Sequence, residues 1–232
     1  MLGIIVQLAL SWGIVWLVTK ENLSVLGIRP TRQRMLEFVF YFIVTGLLCA
    51  SGFFLKMIIA QQKWQLNPTF HWLPVITAIW FAIKSTLFEE LIFRGVLLYL
   101  LIRKMGTIKA IVLSSIAFGI YHWFSHELFW NIQAMAMEFL ITGIMGLILA
   151  YGYAKSKSLY IPTAIHLGWG IVQMVVFSSG PMGNQIYIEV MPRPVVTVSY
   201  FSYFFMELFP LVSVYVVNFW LIMFRRQDKL ST

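Results

Sequence analysis

Long apolar stretches separated by short polar connections run through the sequence from its second residue almost to its end. Most of these stretches reach or exceed the ~20 residues that an α-helix needs to cross the hydrocarbon core of a bilayer. They predict an all-α, polytopic membrane protein with about seven transmembrane helices, in a single integral membrane domain over 1–232. The expected helices lie near 2–19, 36–60, 72–104, 108–124, 129–154, 159–178 and 195–224.

The third apolar stretch, 72–104, is too long for one straight span. We expect it to be tilted, to kink near Lys84–Ser85, or to split into an interfacial piece and a span. The first stretch has no positively charged start and no small-residue cleavage site, so we expect a retained helix and not a removed signal. The 180–194 connection is rich in glycine and proline, which predicts a lid or access element.

Composition supports a membrane protein, because 60% hydrophobic and 11% charged residues exceed what a soluble core of 232 residues could hide. The net charge is +8, but most basic residues lie in short connections, so we expect the lipid bilayer as a partner and no nucleic acid. They fall in alternate connections, which by the positive-inside rule predicts an N-terminus outside and a C-terminus inside. The predicted inner side carries Lys20, Arg29, Arg32, Arg34, Arg103, Lys104, Lys109, Lys155, Lys157, Arg225, Arg226 and Lys229, and the outer side carries Lys63 and Arg193.

Three ionisable residues, Glu89, Glu90 and Arg94, interrupt an otherwise apolar stretch in the sequence F-E-E-L-I-F-R-G. Charges inside a membrane are costly and usually functional. Glu90 and Arg94 are four residues apart on a helix and can neutralise each other, whereas Glu89 points ~100° away. Glu89 is therefore the candidate for chemistry.

Two histidines are expected at a depth similar to that of Glu89. Counted from the inner basic residues at ~1.5 Å per residue, Glu89 and His122 each lie ~20 Å into the bilayer. His166 lies ~14 Å in, and helix tilt lets it reach the same cavity. A single histidine on an apolar face is usually a packing residue, but two beside a glutamate indicate a shared site.

Such a set of residues suits hydrolysis. A desolvated carboxylate can take a proton from water while a neighbouring imidazole orients that water, and this chemistry needs no cofactor. Alternatively, Glu89, His122 and His166 could supply three ligands to a zinc ion whose fourth position holds water. The sequence leaves both alternatives open.

Other intramembrane hydrolases have signatures that this sequence lacks. After His126-Glu127, the second histidine of H-E-x-x-H is replaced by Trp130. Asp228 in the tail is the only aspartate, which excludes a di-aspartate protease. No serine lies in G-x-S-x-G, and the single cysteine, Cys49, excludes an internal disulfide. A proton-coupled transporter with Glu89 in a relay is a third interpretation, but the sequence has none of the internal symmetry typical of transporters.

The motifs resemble those of the CPBP family of intramembrane endopeptidases, which includes the type II CAAX prenyl proteases and bacterial proteins linked to bacteriocin processing and self-immunity. The matching region runs from about 77 to 173. E-E-L-I-F-R (Glu89, Glu90, Arg94) resembles E-E-x-x-x-R, F-G-I-Y-H (Phe118, His122) resembles F-x-x-x-H, and the helix with His166 resembles H-x-x-x-N.

This resemblance implies a role for each matched residue. Glu89 would be the general base, His122 its partner in activating water, and His166 a stabiliser of the oxyanion, while Glu90 and Arg94 would hold the helix in place. It also implies the plasma membrane of a prokaryote as the location.

One position departs from the family pattern. The family's asparagine falls at Gly170, so one donor to the oxyanion is absent, and losing such a donor typically costs ~10²–10³ in rate. Gln173 follows His166 by about two helical turns, so its amide could replace the missing asparagine donor. Alternatively, Gln173 could simply bond a neighbouring helix.

Two further features have structural interpretations. Glu138 is expected near the depth of Glu89, either as a second acid in the cavity or as the partner of a residue such as Lys84. Gly146 and Ala150 form a small-x-x-x-small pair, which predicts close contact with another helix.

The sequence therefore predicts an intramembrane endopeptidase that cleaves a membrane-associated protein or peptide. Prenylated proteins, peptide pheromones, bacteriocin precursors and membrane proteins all remain candidate substrates. The alternative is a weak or inactive immunity or scaffold protein of the same fold, in which Gly170 marks a decayed site.

Overall fold

A computed structural model describes residues 2–178 and 186–225. The prediction of an all-α, polytopic membrane protein is confirmed. The α-helices of the described residues are α1 (Leu2–Thr19), α2 (Arg32–Ile59), α3 (Trp72–Glu90), α4 (Leu98–Met105), α5 (Thr107–Ser125), α6 (Ile132–Ser156), α7 (Tyr160–Ile171) and α8 (Tyr200–Met223). Shorter elements are a 3₁₀ turn (Leu23–Leu26), two π-helical segments (Leu91–Leu97 and Val172–Val176) and the strands β1 (Trp64–Leu66) and β2 (Tyr187–Glu189).

Within the described residues, four helices are long and apolar enough to cross a bilayer: α2, α5, α6 and α8. Two shorter apolar helices cover Gly3–Thr19 and Tyr160–Val176. The side chains of Leu47 and Ile58 on α2 are 67% and 76% exposed, which is expected of a surface that faces lipid.

The chain divides into two compact units. The first contains Met1–Phe38, Leu87–Thr163 and Val217–Thr232, and the second contains Val39–Thr86 and Ala164–Val216. The E-E-x-x-x-R and F-x-x-x-H motifs both lie in the first unit, whereas His166 lies in the second.

The long third stretch is broken, but not at Lys84–Ser85, which lies inside α3. The predicted position of the kink was therefore wrong. The α-helix ends at Glu90, a π-helical segment follows, and the backbone leaves helical geometry at Gly95 (φ −75°, ψ −112°). A hydroxyl from a neighbouring helix supports this break, because Ser114 Oγ donates to the carbonyl of Phe93 at 3.0 Å.

In the first unit, α5 and α6 pack closely through small residues. A Cβ at Gly119 would lie 2.7 Å from the ring of Phe139. A Cβ at Gly146 would lie 3.2 Å from both Ser115 Cα and the ring of Phe118. The close contact predicted for Gly146 is therefore present.

In the second unit, α2 and α7 come into close contact at Gly168. A Cβ at Gly168 would lie 2.7 Å from the carbonyl oxygen of Phe42. Strands β1 and β2 pair antiparallel, with Trp64 opposite Glu189, a feature that hydropathy did not predict.

Two expectations fall partly on residues outside the described ranges. The proposed lid over 180–194 includes 180–185, which are not described, and its later part contains β2. Arg226 and Lys229 of the basic tail also lie outside the described residues. Arg225 is described, and its Nε donates to Oε1 of Glu37 at 2.6 Å.

Replacing Gly146 with leucine should destabilise the protein, because the new side chain would collide with the backbone at Ser115 and with Phe118. Overpacking of this kind typically costs ~1–3 kcal/mol, so we expect a lower melting temperature in detergent. Gly143→Leu is the matched control, since a Cβ there meets only Phe139, at 4.0 Å. Equal melting temperatures for the two variants would contradict this account of α5–α6 packing.

Candidate active site

Glu89 and His122 meet in the first unit. Oε2 of Glu89 at the end of α3 lies 3.9 Å from Nε2 of His122 on α5. Their side chains are 15% and 11% exposed, so the site is largely but not completely enclosed. Glu89 and His122, two of the three residues expected to converge, therefore do meet, although 3.9 Å is longer than a direct hydrogen bond.

The orientation of the His122 imidazole is set by its own helix. Nδ1 lies 2.8 Å from the carbonyl oxygen of Phe118, one turn earlier. A carbonyl can only accept, so Nδ1 carries the proton in the neutral ring. Nε2, which faces Glu89, is then the atom that can accept a hydrogen bond.

Three aromatic rings surround the imidazole of His122. The ring centroids of Phe118, Tyr121 and His126 lie 4.5, 5.4 and 5.5 Å from its own, all in edge-to-face arrangements. Phe93 packs in turn against Phe118 and Tyr121, at 5.1 and 5.3 Å. These contacts restrict the rotamer of His122.

The predicted pair of Glu90 and Arg94 is present. Oε1 of Glu90 lies 3.0 Å from Nη1 of Arg94, and the two side chains are 1% and 0% exposed. A buried charge without a partner would be strongly destabilising, and each member of this ion pair neutralises the charge of the other.

Arg94 also connects the two motifs. Its Cζ lies 3.9 Å from the centroid of the Phe118 ring, which is the geometry of a cation–π contact. Among the described residues, Nε and Nη2 of Arg94 have no hydrogen-bond acceptor. The electron-rich face of the Phe118 ring therefore stabilises part of the guanidinium charge. Phe118 thus lies between the charge of Arg94 and the imidazole of His122.

The remaining candidates belong to the second unit. His166 is half-buried on α7, and Gly170 is buried one turn later. A Cβ at Gly170 would meet no heavy atom within 4 Å, so the position has room for a side chain.

Gln173 has a structural partner within its own unit. Its Nε2 donates to Sγ of Cys49 at 3.6 Å, a contact between neighbouring helices. It also lies in the second π-helical segment, whose wider turn shifts it away from the face expected for an ideal α-helix. Both observations favour the packing interpretation of Gln173.

The described residues contain no group of three or more His, Cys, Asp or Glu side chains arranged to hold a metal ion. Within the first unit, Glu89 and His122 supply two donors, fewer than the three protein ligands of a catalytic zinc site. Glu89 and His122 by themselves therefore do not make a catalytic zinc site.

Sequence reasoning missed one contact at the edge of the site. Nδ1 of His126 lies 3.3 Å from Oε1 of Glu138 on α6. The sequence offers a signal, because His126 follows His122 by one helical turn, but the motif that His126 begins, H-E-x-x-H, is interrupted by Trp130. Glu138 is therefore paired with a neighbouring helix, and its partner is His126.

Comparison with known proteins agrees with the motifs. The family model of the Rce1-like type II CAAX prenyl endopeptidases matches residues 70–172. No curated protein and no solved structure matches the chain. The resemblance to this family is confirmed over the matched residues, which include every predicted site residue except Gln173.

Removing Arg94 should destabilise the protein more than removing both members of its pair. Arg94→Ala leaves Glu90 as a buried charge and should lower the free energy of unfolding by ~3–5 kcal/mol. The double variant Glu90→Gln/Arg94→Met removes both charges at similar volume and should recover much of that loss. Thermal melting in detergent measures both variants, and a double variant no more stable than Arg94→Ala would contradict the assignment.

Proposed function

We propose that this integral membrane protein is an endopeptidase that hydrolyses a peptide bond with a water molecule activated by Glu89 and His122. The observation that supports it is the separation of 3.9 Å between Glu89 Oε2 and His122 Nε2. The separation is too long for a direct hydrogen bond and suits a water that contacts both atoms.

The proposed reaction begins with this water. Glu89 takes one of its protons while Nε2 of His122 accepts a hydrogen bond from the other, which directs the oxygen at the carbonyl carbon. A carbon–oxygen bond forms and the carbonyl oxygen becomes an oxyanion. The carbon–nitrogen bond then breaks, and Glu89 returns its proton to the leaving nitrogen. The products are a carboxylic acid and an amine.

The surroundings of the pair support these roles. The bond from Nδ1 to Phe118 keeps the proton on the far side of the imidazole, so Nε2 remains an acceptor for water. Charges and dipoles fixed in a water-poor site act strongly on a developing negative charge. The family resemblance assigns the oxyanion to His166, with Gly170 where the family has asparagine.

The family match supports a prenylated substrate. The matching model describes type II CAAX prenyl endopeptidases, and the cysteine of a C-a-a-X sequence is the residue that carries a prenyl group, so a farnesylated C-a-a-X peptide is the first probe to use. The distribution of basic residues supports an N-terminus outside and a C-terminus inside. The proposed location, the plasma membrane of a prokaryote, rests on the family resemblance. Gly170 is the specific observation that favours the second candidate, an inactive scaffold.

Glu89→Gln and His122→Ala should each abolish cleavage of the farnesylated peptide by purified protein in liposomes. The first variant removes the base and the second removes the acceptor that orients water, while melting temperatures should change little. Glu127→Gln is the matched control, because Glu127 is exposed and follows the end of α5. Full activity in Glu89→Gln would contradict the protease proposal.

Gly170→Asn should raise turnover, because it restores the side-chain donor that the family resemblance assigns to the oxyanion, at a position with room for a side chain. Restoring part of a ~10²–10³ effect predicts a gain of ~10-fold or more in kcat. Gly168→Asn is the contrasting control, since its side chain would strike the carbonyl of Phe42 and lower the melting temperature. An unchanged kcat in a stable Gly170→Asn protein would show that the oxyanion does not lack a donor there.

A further inference from the structure

We infer that His126 and Glu138 are positioning residues that hold the imidazole of His122 in its working orientation. The inference rests on the proposed function, because it concerns the same site. Neither residue belongs to the E-E-x-x-x-R, F-x-x-x-H or H-x-x-x-N motifs.

His126 lies at the end of α5, one turn beyond His122. Its backbone N–H donates to the carbonyl of His122 at 3.1 Å, and its ring meets the ring of His122 edge-to-face at 5.5 Å. The two imidazoles are therefore in contact through their rings and not through a hydrogen bond.

Of the three rings around His122, that of His126 is the least enclosed. Phe118 is backed by Arg94, and Tyr121 is backed by Phe93. The side chain of His126 is 52% exposed, at a helix end where a side chain ordinarily samples several rotamers. It therefore needs a partner that fixes it.

Glu138 provides that partner from α6. Its Oε1 lies 3.3 Å from Nδ1 of His126, and its own side chain is only 22% exposed. A second contact holds the same helix ends together, because Nε1 of Trp123 donates to the carbonyl of Met135 at 2.8 Å. The backbone that carries Glu138 is therefore held in place, and its carboxylate orients the ring of His126.

The consequence concerns the rate of reaction and not substrate binding. If the ring of His126 moves, the imidazole of His122 gains freedom, and Nε2 no longer directs water at a constant angle. Small misplacements of a positioned group can cost ~10²-fold in rate. Loss of Glu138 should therefore lower kcat by ~10- to 100-fold and leave KM nearly unchanged.

The conservative variants separate positioning from general stability. Glu138→Gln keeps an oxygen that can accept from Nδ1–H, so it should retain most of kcat, whereas Glu138→Ala should not. His126→Phe keeps a ring against His122, so its kcat should fall less than that of His126→Ala. Glu127→Ala, at the exposed neighbouring carboxylate, should match the unmodified protein.

A readout without substrate completes the test. The chain has four histidines, so ¹⁵N-histidine NMR of the full protein in detergent micelles can follow the imidazole of His122. We expect one His122 signal in the unmodified protein and in Glu138→Gln, and a broadened or doubled signal in Glu138→Ala at unchanged melting temperature. If Glu138→Ala destabilises the fold, the comparison of His126→Phe with His126→Ala replaces it.

The outcomes separate this inference from the proposed function. An unperturbed His122 signal in Glu138→Ala overturns the inference whether or not the protein cleaves peptides. Unchanged kcat in Glu138→Ala also overturns it, provided that Glu89→Gln is inactive. If Glu89→Gln is fully active, the proposed function fails, and the NMR comparison alone decides whether His126 and Glu138 order His122.

Discussion

The buried contact of Arg94 with Glu90 and Phe118 is the interaction on which the candidate site depends. A guanidinium that is 0% exposed must be neutralised, and Oε1 of Glu90 at 3.0 Å does so. The face of Phe118 at 3.9 Å adds a cation–π contact from another helix. Because the backbone carbonyl of Phe118 also accepts a hydrogen bond from Nδ1 of His122, Phe118 contacts both the buried charge of one motif and the histidine of the other.

This arrangement explains why adjacent glutamates have different surroundings. Glu90 faces Arg94, whereas Glu89, the residue before it, faces His122. The π-helical segment begins directly after them and carries Arg94 within it. An i→i+5 turn is often found at functional sites, and here it directly follows the carboxylates and contains the kink at Gly95.

Contacts within one helix could be predicted from the sequence, whereas most contacts between helices could not. The Glu90–Arg94 pair follows from helical spacing, and the meeting of Glu89 with His122 follows from a constant rise per residue. The kink at Gly95 did not follow, and the hydroxyl that bonds the carbonyl of Phe93 beside it comes from Ser114 on another helix. The partner of Glu138 was equally hidden, because the chain between α5 and α6 decides which side chains face each other.

A double-mutant cycle on kcat tests the central claim most directly, using Glu89→Gln, His122→Ala and the double variant in the same liposome assay. If the two residues act on one shared water, the second substitution should add little to the first, because residues that act as a unit are strongly non-additive. Losses that multiply, with the double variant slower by the product of the two single effects, would show that Glu89 and His122 act independently and would contradict the account.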